Sequence, residues 1–231
     1  MKLDYSKIYV SFNYEKTGIP SFSLLAGNQN WLYNGYMTKE AKQAVNDYQI
    51  KGTCPATCTG CYALKMTRYP AVFKHLAYNT LLVKESPEKA LQALHDKYFS
   101  NPYKAPNIFR IHDSGEFFSL WYFYCWIDFI KEHPNTIFGS YTKQKTFVNL
   151  YLRKEKLPDN LTLSCSPWKG FCEPIANLPQ FCYDNGTDPT LLSIPHCPAV
   201  NKDGKRTGVQ CINCLHCYKA NYGEKWAVYS H

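Results

Sequence analysis

Three cysteines crowd into TCPATCTGCYA, the stretch 53–63: Cys54, Cys58 and Cys61, spaced C-x3-C-x2-C. Structural zinc is usually held by four ligands, often as two separated pairs. Three thiols in one tight loop do not make two pairs. They suit three irons of a cubane cluster, whose fourth iron is then open to a small ligand. A second group follows late in the chain: Cys211, Cys214 and Cys217 as C-x2-C-x2-C, with Cys197-Pro198 upstream. That is the ligand pattern of bacterial-type ferredoxin clusters, with the Cys-Pro placed first in order. Four thiols would close a [4Fe–4S] cluster; zinc is the alternative at this group. Cys125 falls on a helical pattern and reads as core. Cys165, Cys172 and Cys182 carry no assignment, and any of them could complete the first group.

Other side chains have two readings each. Glu116 could accept a hydrogen bond from a bound ammonium group, or serve as a first-turn carboxylate at a helix N-terminus. Gly115 permits close backbone approach to a ligand, or merely a turn. Arg110 and His112 alternate with Phe109 and Ile111, so the sequence places both on one strand face. In a barrel that face is interior, where a charge needs a partner. Lys143 ends a strand, where it could meet a carboxylate or phosphate, though exposed lysines are commoner. Ser164 and Ser166 flank Cys165 at another strand end, as ribose partners or ordinary loop serines. The aromatic run from Trp121 to Trp126 reads as core rather than as a base-stacking platform. No phosphate-binding glycine loop, H-E-x-x-H or G-x-S-x-G occurs.

The elements that must position these residues alternate. Residues 7–26 read as two short strands around a Thr17-Gly18 turn. The stretch 28–38 reads as loop, 39–48 as a helix, and Tyr48 to Lys51 as a short strand ending at Gly52. Residues 62–83 read as helical with Pro70 interrupting or kinking them. Ser86-Pro87-Glu88 is an N-cap with proline at the first helical position, opening a helix to about residue 99. Strands are expected over 107–113, 136–141, 161–165 and 191–194, with helices over 119–132 and 144–156. Residues 166–190 read as loop, and the last 35 residues show little periodicity. Repeated strand-then-helix order indicates parallel βα units. A full eight-stranded barrel typically takes about 250 residues, so an α/β fold with a partial, open parallel barrel is expected. It would carry an N-terminal β-hairpin and a cysteine-rich C-terminal extension: barrel over 1–195, iron–sulfur segment over 196–231. In such folds chemistry sits at the C-terminal ends of the strands.

Composition narrows the setting. The 231 residues are 45% hydrophobic and 16% aromatic, enough for a sizeable core and far from disorder. No window approaches the roughly 20 apolar residues of a membrane span, and the start MKLDYSKIYV reads as no signal peptide. A cytoplasmic, reducing location is therefore expected, where the 11 cysteines favour metal binding over disulfides. The formal charge of +8 suits nucleic acid, a nucleotide or an anionic cofactor, or simply a soluble basic protein. Bound clusters would reduce it, by about 2 for a four-thiolate [4Fe–4S] unit and about 1 for a three-thiolate one.

The cysteine loop resembles the signature of radical S-adenosylmethionine enzymes, with Ser114-Gly115-Glu116 where that family has a Gly-Gly-Glu-type strand end. Gly60 precedes the third cysteine and Tyr62 follows it. A narrower likeness is to the small phage-encoded "gene product 88" family: CTGCYA at Cys58 to Ala63, His112 to Phe117 as HDSGEF, Tyr141-Thr142-Lys143, and Cys197 to Cys217. The resemblance implies two [4Fe–4S] clusters, one at Cys54, Cys58 and Cys61 and one at Cys197, Cys211, Cys214 and Cys217. It implies S-adenosylmethionine on the open iron, with Glu116 at its amine. Tyr62, Arg110, His112, Ser114, Gly115, Lys143 and Ser164 would complete the cofactor site. The expected activity is generation of a 5′-deoxyadenosyl radical, fed by an electron donor such as flavodoxin or ferredoxin in the host cytoplasm. The rival expectations are a non-catalytic iron–sulfur protein that binds nucleic acid and a zinc-stapled interaction module.

Overall fold

The computed structural model describes residues 3–12, 17–27, 51–55, 62–166, 175 and 177–229, without the side chains of residues 62, 64 and 65. The expected helix 39–48, the loop 28–38, nearly all of the expected strand to Lys51, and Cys58, Cys61 and Cys172 lie outside these residues.

Among the described residues seven strands form one sheet in sequence order: β1 Val10–Phe12, β2 Pro20–Phe22, β3 Ile108–Ile111, β4 Ile137–Thr142, β5 Leu161–Cys165, β6 Gln180–Asp184 and β7 Lys225–Tyr229. β1 and β2 are an antiparallel hairpin, and every later pair is parallel. The sheet does not close on itself. Its weakest seam is between β5 and β6, joined through the single pair Cys165↔Gln180.

Helices α1 Pro70–Glu85, α2 Pro87–Tyr98, α3 Leu120–Glu132 and α4 Lys145–Leu152 follow from their caps. Pro70 opens α1 after a 3-10 turn over Tyr62–Arg68, so it starts a helix rather than kinking one. At that position its missing N–H removes no intrahelical bond. The Ser86 hydroxyl accepts from Lys89 N–H at the start of α2, and Ser119 does the same for Tyr122 at the start of α3. The expected strand 191–194 is instead a 3-10 turn over Pro189–Ser193, because Asp188 caps it through Thr190 N–H. β6 and β7 arise where loop or no periodicity was expected.

One face of the sheet packs on the helices. Phe22, Phe109, Ile111, Phe138, Leu161 and Leu163 meet an aromatic layer in which Phe99 lies edge-on to Phe109 at 5.2 Å and to Phe129 at 5.1 Å. Trp126 is fully buried there, while Trp121 is exposed and donates to Glu88 Oε1 at 2.8 Å. The opposite face is covered by the C-terminal segment. Two short helices, α5 Cys211–Cys214 and α6 His216–Lys219, hinge at Leu215, whose φ is 55°. Ile212 N–H donates to Thr17 O of the hairpin turn at 2.9 Å, and Thr162 Oγ1 donates to Tyr218 O at 2.8 Å. Among the described residues no helix is long and apolar enough to cross a membrane.

Candidate cysteine-centred site

The parallel strands deliver their C-terminal ends to one edge, and the chain entering the first cysteine loop is stitched to that edge. Thr53 N–H donates to Leu25 O at 3.0 Å and Cys54 N–H to Gly27 O at 3.1 Å, just past β2. The Thr53 hydroxyl accepts from Glu116 N–H at 2.9 Å and donates to Leu25 O at 3.1 Å. Between them lies Gly115, with φ 87°; a Cβ there would stand 2.6 Å from Leu24 Cβ and 2.8 Å from Thr53 Oγ1. Only glycine permits this approach and this backbone. Half-buried Cys54 packs with Ala26, Ala63 and Met66. Cys54 and the Ser114–Glu116 turn are therefore neighbours, although some 60 residues separate them in sequence.

Glu116 is buried and already holds three protein donors. Its Oε1 accepts from Phe117 N–H at 2.9 Å and from the Thr142 hydroxyl at 3.0 Å; its Oε2 accepts from Lys143 N–H at 2.8 Å. It thus ties the end of β3 to the end of β4. Burial pushes its carboxyl up, opposed by the Lys143 charge and these hydrogen bonds. By count of lone pairs, one acceptor position on Oε2 is left. Ser114 and Ser164 are also buried, and neither hydroxyl oxygen has a hydrogen-bond partner among the described residues.

His112 and Arg110 do not share a face. His112 takes φ 61°, which turns its ring to the helix side: Nε2 meets the Tyr122 hydroxyl at 2.9 Å, and Phe117 and Trp126 pack around it. Burial pushes its pKa down to about 3, so the ring is neutral. Arg110 stays on the other face. It pairs with Asp113 at 3.2 Å and lies over the Tyr141 ring, 5.0 Å from its centroid.

That other face carries the second thiol group. Cys197, Cys211, Cys214 and Cys217 line one pocket, floored by Tyr218. Tyr218 lies on Gly139 of β4, where a Cβ would come within 2.5 Å of its ring. Cys197 N–H donates to Ala227 O of β7 at 2.7 Å. Burial raises the Cys197, Cys211 and Cys217 thiols, Cys217 to about 11. A metal would have to displace those protons, as coordination of a buried thiol does. Among the described residues no three His, Cys, Asp or Glu side chains gather around a single-ion position. Four thiolates on one pocket remain a donor set suited to a soft, multi-iron group. Cys125 and Cys165 lie in the helix-side core, and Cys182 is half-buried in β6.

Thr53 and Tyr218 were given no role by sequence, and Tyr141 and Thr142 entered only within the Tyr141-Thr142-Lys143 motif, with no role of their own. Only adjacency to Cys54, Lys143 and Cys217 could have pointed to them.

Fold and site together define an open, mostly parallel α/β protein with Cys54 at the strand ends and a pocket of four thiols on the face that the C-terminal segment covers. The chain belongs to the Gene product 88 family, whose model matches residues 23–220. It is similar to the Gene 88 protein of Mycobacterium phage L5, 43% identical over 60 residues, which are 26% of this chain and 24% of that protein. It is also similar to the Gene 88 protein of Mycobacterium phage D29, 42% identical over 60 residues, again 26% and 24%. The chain spans about a quarter of the length of the curated relatives it matches. No solved structure matches.

Proposed function

We propose that the chain is an iron–sulfur protein of the radical S-adenosylmethionine type, its open sheet serving as a partial barrel. The observation that supports this most is the Thr53 bridge, which sets the start of the C-x3-C-x2-C loop against the Ser114-Gly115-Glu116 turn at the strand ends. Cys54, Cys58 and Cys61 would hold the open cluster, and Cys197, Cys211, Cys214 and Cys217 the closed one. When bound, the open cluster and S-adenosylmethionine supply a one-electron cleavage that yields a 5′-deoxyadenosyl radical. The chain's own part is binding and orientation. The unshared lone pair of Glu116 Oε2 would accept from a ligand ammonium, and the Ser114 and Ser164 hydroxyls, which have no partner among the described residues, would meet its polar groups. Lys143 stands beside Glu116 and limits how much negative charge the site presents. A flavodoxin- or ferredoxin-like donor in the host cytoplasm would provide the electron.

The test is anaerobic: protein loaded with iron and sulfide, dithionite and S-adenosylmethionine, with 5′-deoxyadenosine as readout. Wild type should form it and Cys58→Ala should not. Product from the Cys58→Ala variant would mean the site is misassigned. One observation favours a second reading, a non-catalytic iron–sulfur protein that binds nucleic acid: Glu116 is already held by three protein donors. That protein would carry iron and sulfide and yield no 5′-deoxyadenosine.

A further inference from the structure

We propose that Tyr141 and Arg110 set the electron affinity of the C-terminal thiol site, acting as positioning residues on its Cys217 corner. This rests on the reading that Cys197, Cys211, Cys214 and Cys217 hold an iron–sulfur cluster.

The strand register puts both residues there. Arg110 of β3 pairs with Gly139 of β4, and Tyr141 lies two residues further along β4, on the same face. That face receives the C-terminal segment, because Gly139 leaves room for the Tyr218 ring and so draws its neighbour Cys217 against the strand. The Tyr141 hydroxyl lies within hydrogen-bonding reach of the Cys217 sulfur. The Tyr141 ring is fixed by Phe181, 4.7 Å away between centroids, and by the Arg110 guanidinium above it. The Arg110 charge acts on Cys211 and Cys217 alike, and Asp113, its ion-pair partner, acts on Cys211 with the opposite sign.

Cluster potentials follow net charge, hydrogen bonds to sulfur and exposure. Taking up one electron adds negative charge that spreads onto the thiolates. A hydroxyl donating to one of those sulfurs, and a cation beside two of them, stabilise the reduced state more than the oxidised one. Tyr141 and Arg110 therefore raise the potential, and Asp113 lowers it. Neither residue is required to hold iron, since neither supplies a ligand.

The experiment uses the full chain with Cys54, Cys58 and Cys61 all changed to Ala, so that only the C-terminal site can load. Iron and sulfide are counted after anaerobic loading. The midpoint is then measured by dithionite titration, followed by electron paramagnetic resonance. Tyr141→Phe keeps the ring packing and should keep the iron. Its reduced-to-oxidised ratio at the parent's midpoint should fall about tenfold, a shift of about 59 mV for one electron. Arg110→Gln should shift the same way and Asp113→Asn the opposite way. Unchanged midpoints in Tyr141→Phe and Arg110→Gln, with iron and sulfide intact, would overturn the inference. A parent holding no iron and sulfide, or zinc in their place, would instead overturn the reading on which it rests. Should Tyr141→Phe lose iron, the opposed shifts of Arg110→Gln and Asp113→Asn still decide the matter.

Discussion

At His112 the chain leaves β3 with φ 61°, and this one dihedral separates two side chains that strand alternation would place together. The consequence is a neutral imidazole in an aromatic box and a charged guanidinium on the opposite face. The folded-state pKa of His112, about 3, lies below its ordinary value of 6.5. The neutral ring therefore contributes stability above pH 6.5, and that contribution is lost as the pH falls below it. Thermal melts should show wild type losing more stability between pH 7 and pH 5 than His112→Gln does, even though the variant starts lower. Parallel pH profiles would mean the ring charges freely while folded. Glu116 has the reverse sign. Its pKa is raised from 4.5, so its contribution is full below that value and fades as the pH rises. Glu116→Gln turns an amide N–H toward Lys143 N–H and should cost about 1–3 kcal/mol, as one lost buried acceptor does. That gap should narrow from pH 4.5 upward in denaturant titrations, and a gap that widens would refute the assigned shift.

Among the elements, those with a cap or a period were legible: α2 from Ser86-Pro87, α3 from its helical period, β3 to β5 from short apolar runs. The turn at Ser114-Gly115-Glu116 was legible as well, since glycine marks the close approach that Thr53 makes. What escaped was whatever depends on distant partners. β6 and β7 are strands because each supplies five paired residues to the other, from Gln180↔Lys225 to Asp184↔Tyr229. Neither QFCYD nor KWAVY shows that alone. The seat of the thiol segment escaped for the same reason: nothing local says that Gly139 receives the Tyr218 ring, 79 positions away. That contact gives an element-scale prediction. Gly139→Ala should destabilise the fold by roughly 1–3 kcal/mol, because the added methyl meets a packed ring rather than a flexible tip. Pairing it with Tyr218→Leu should recover part of the loss in urea titrations. Additive losses would mean that ring and strand do not press on one another.

Over the whole molecule the question is whether the cysteine-rich C-terminal stretch stands as a separate appendage or shares one cooperative structure with the sheet. β7 argues for sharing. Its Ala227 is fully buried and lies between β6 on one side and the stretch leading to Cys197 on the other. Ala227 N–H donates to Pro195 O at 2.9 Å, and Ala227 O accepts from Cys197 N–H at 2.7 Å. The backbone that positions one thiol of the pocket is therefore the backbone that extends the sheet. Ala227→Pro deletes that donor inside a paired strand, where proline is not accommodated. It should lower the melting temperature of the entire chain in a single transition and weaken hydrogen-exchange protection as far away as β4 and β5. Ala227→Gly keeps the N–H and should cost much less. If Ala227→Pro frees only residues 195–229 while β3 to β5 keep their protection and the melting temperature holds, the segment folds apart from the sheet. The boundary expected at 195–196 would then be a true domain boundary, and the pocket of four thiols would have to be assembled without help from the strands beneath it.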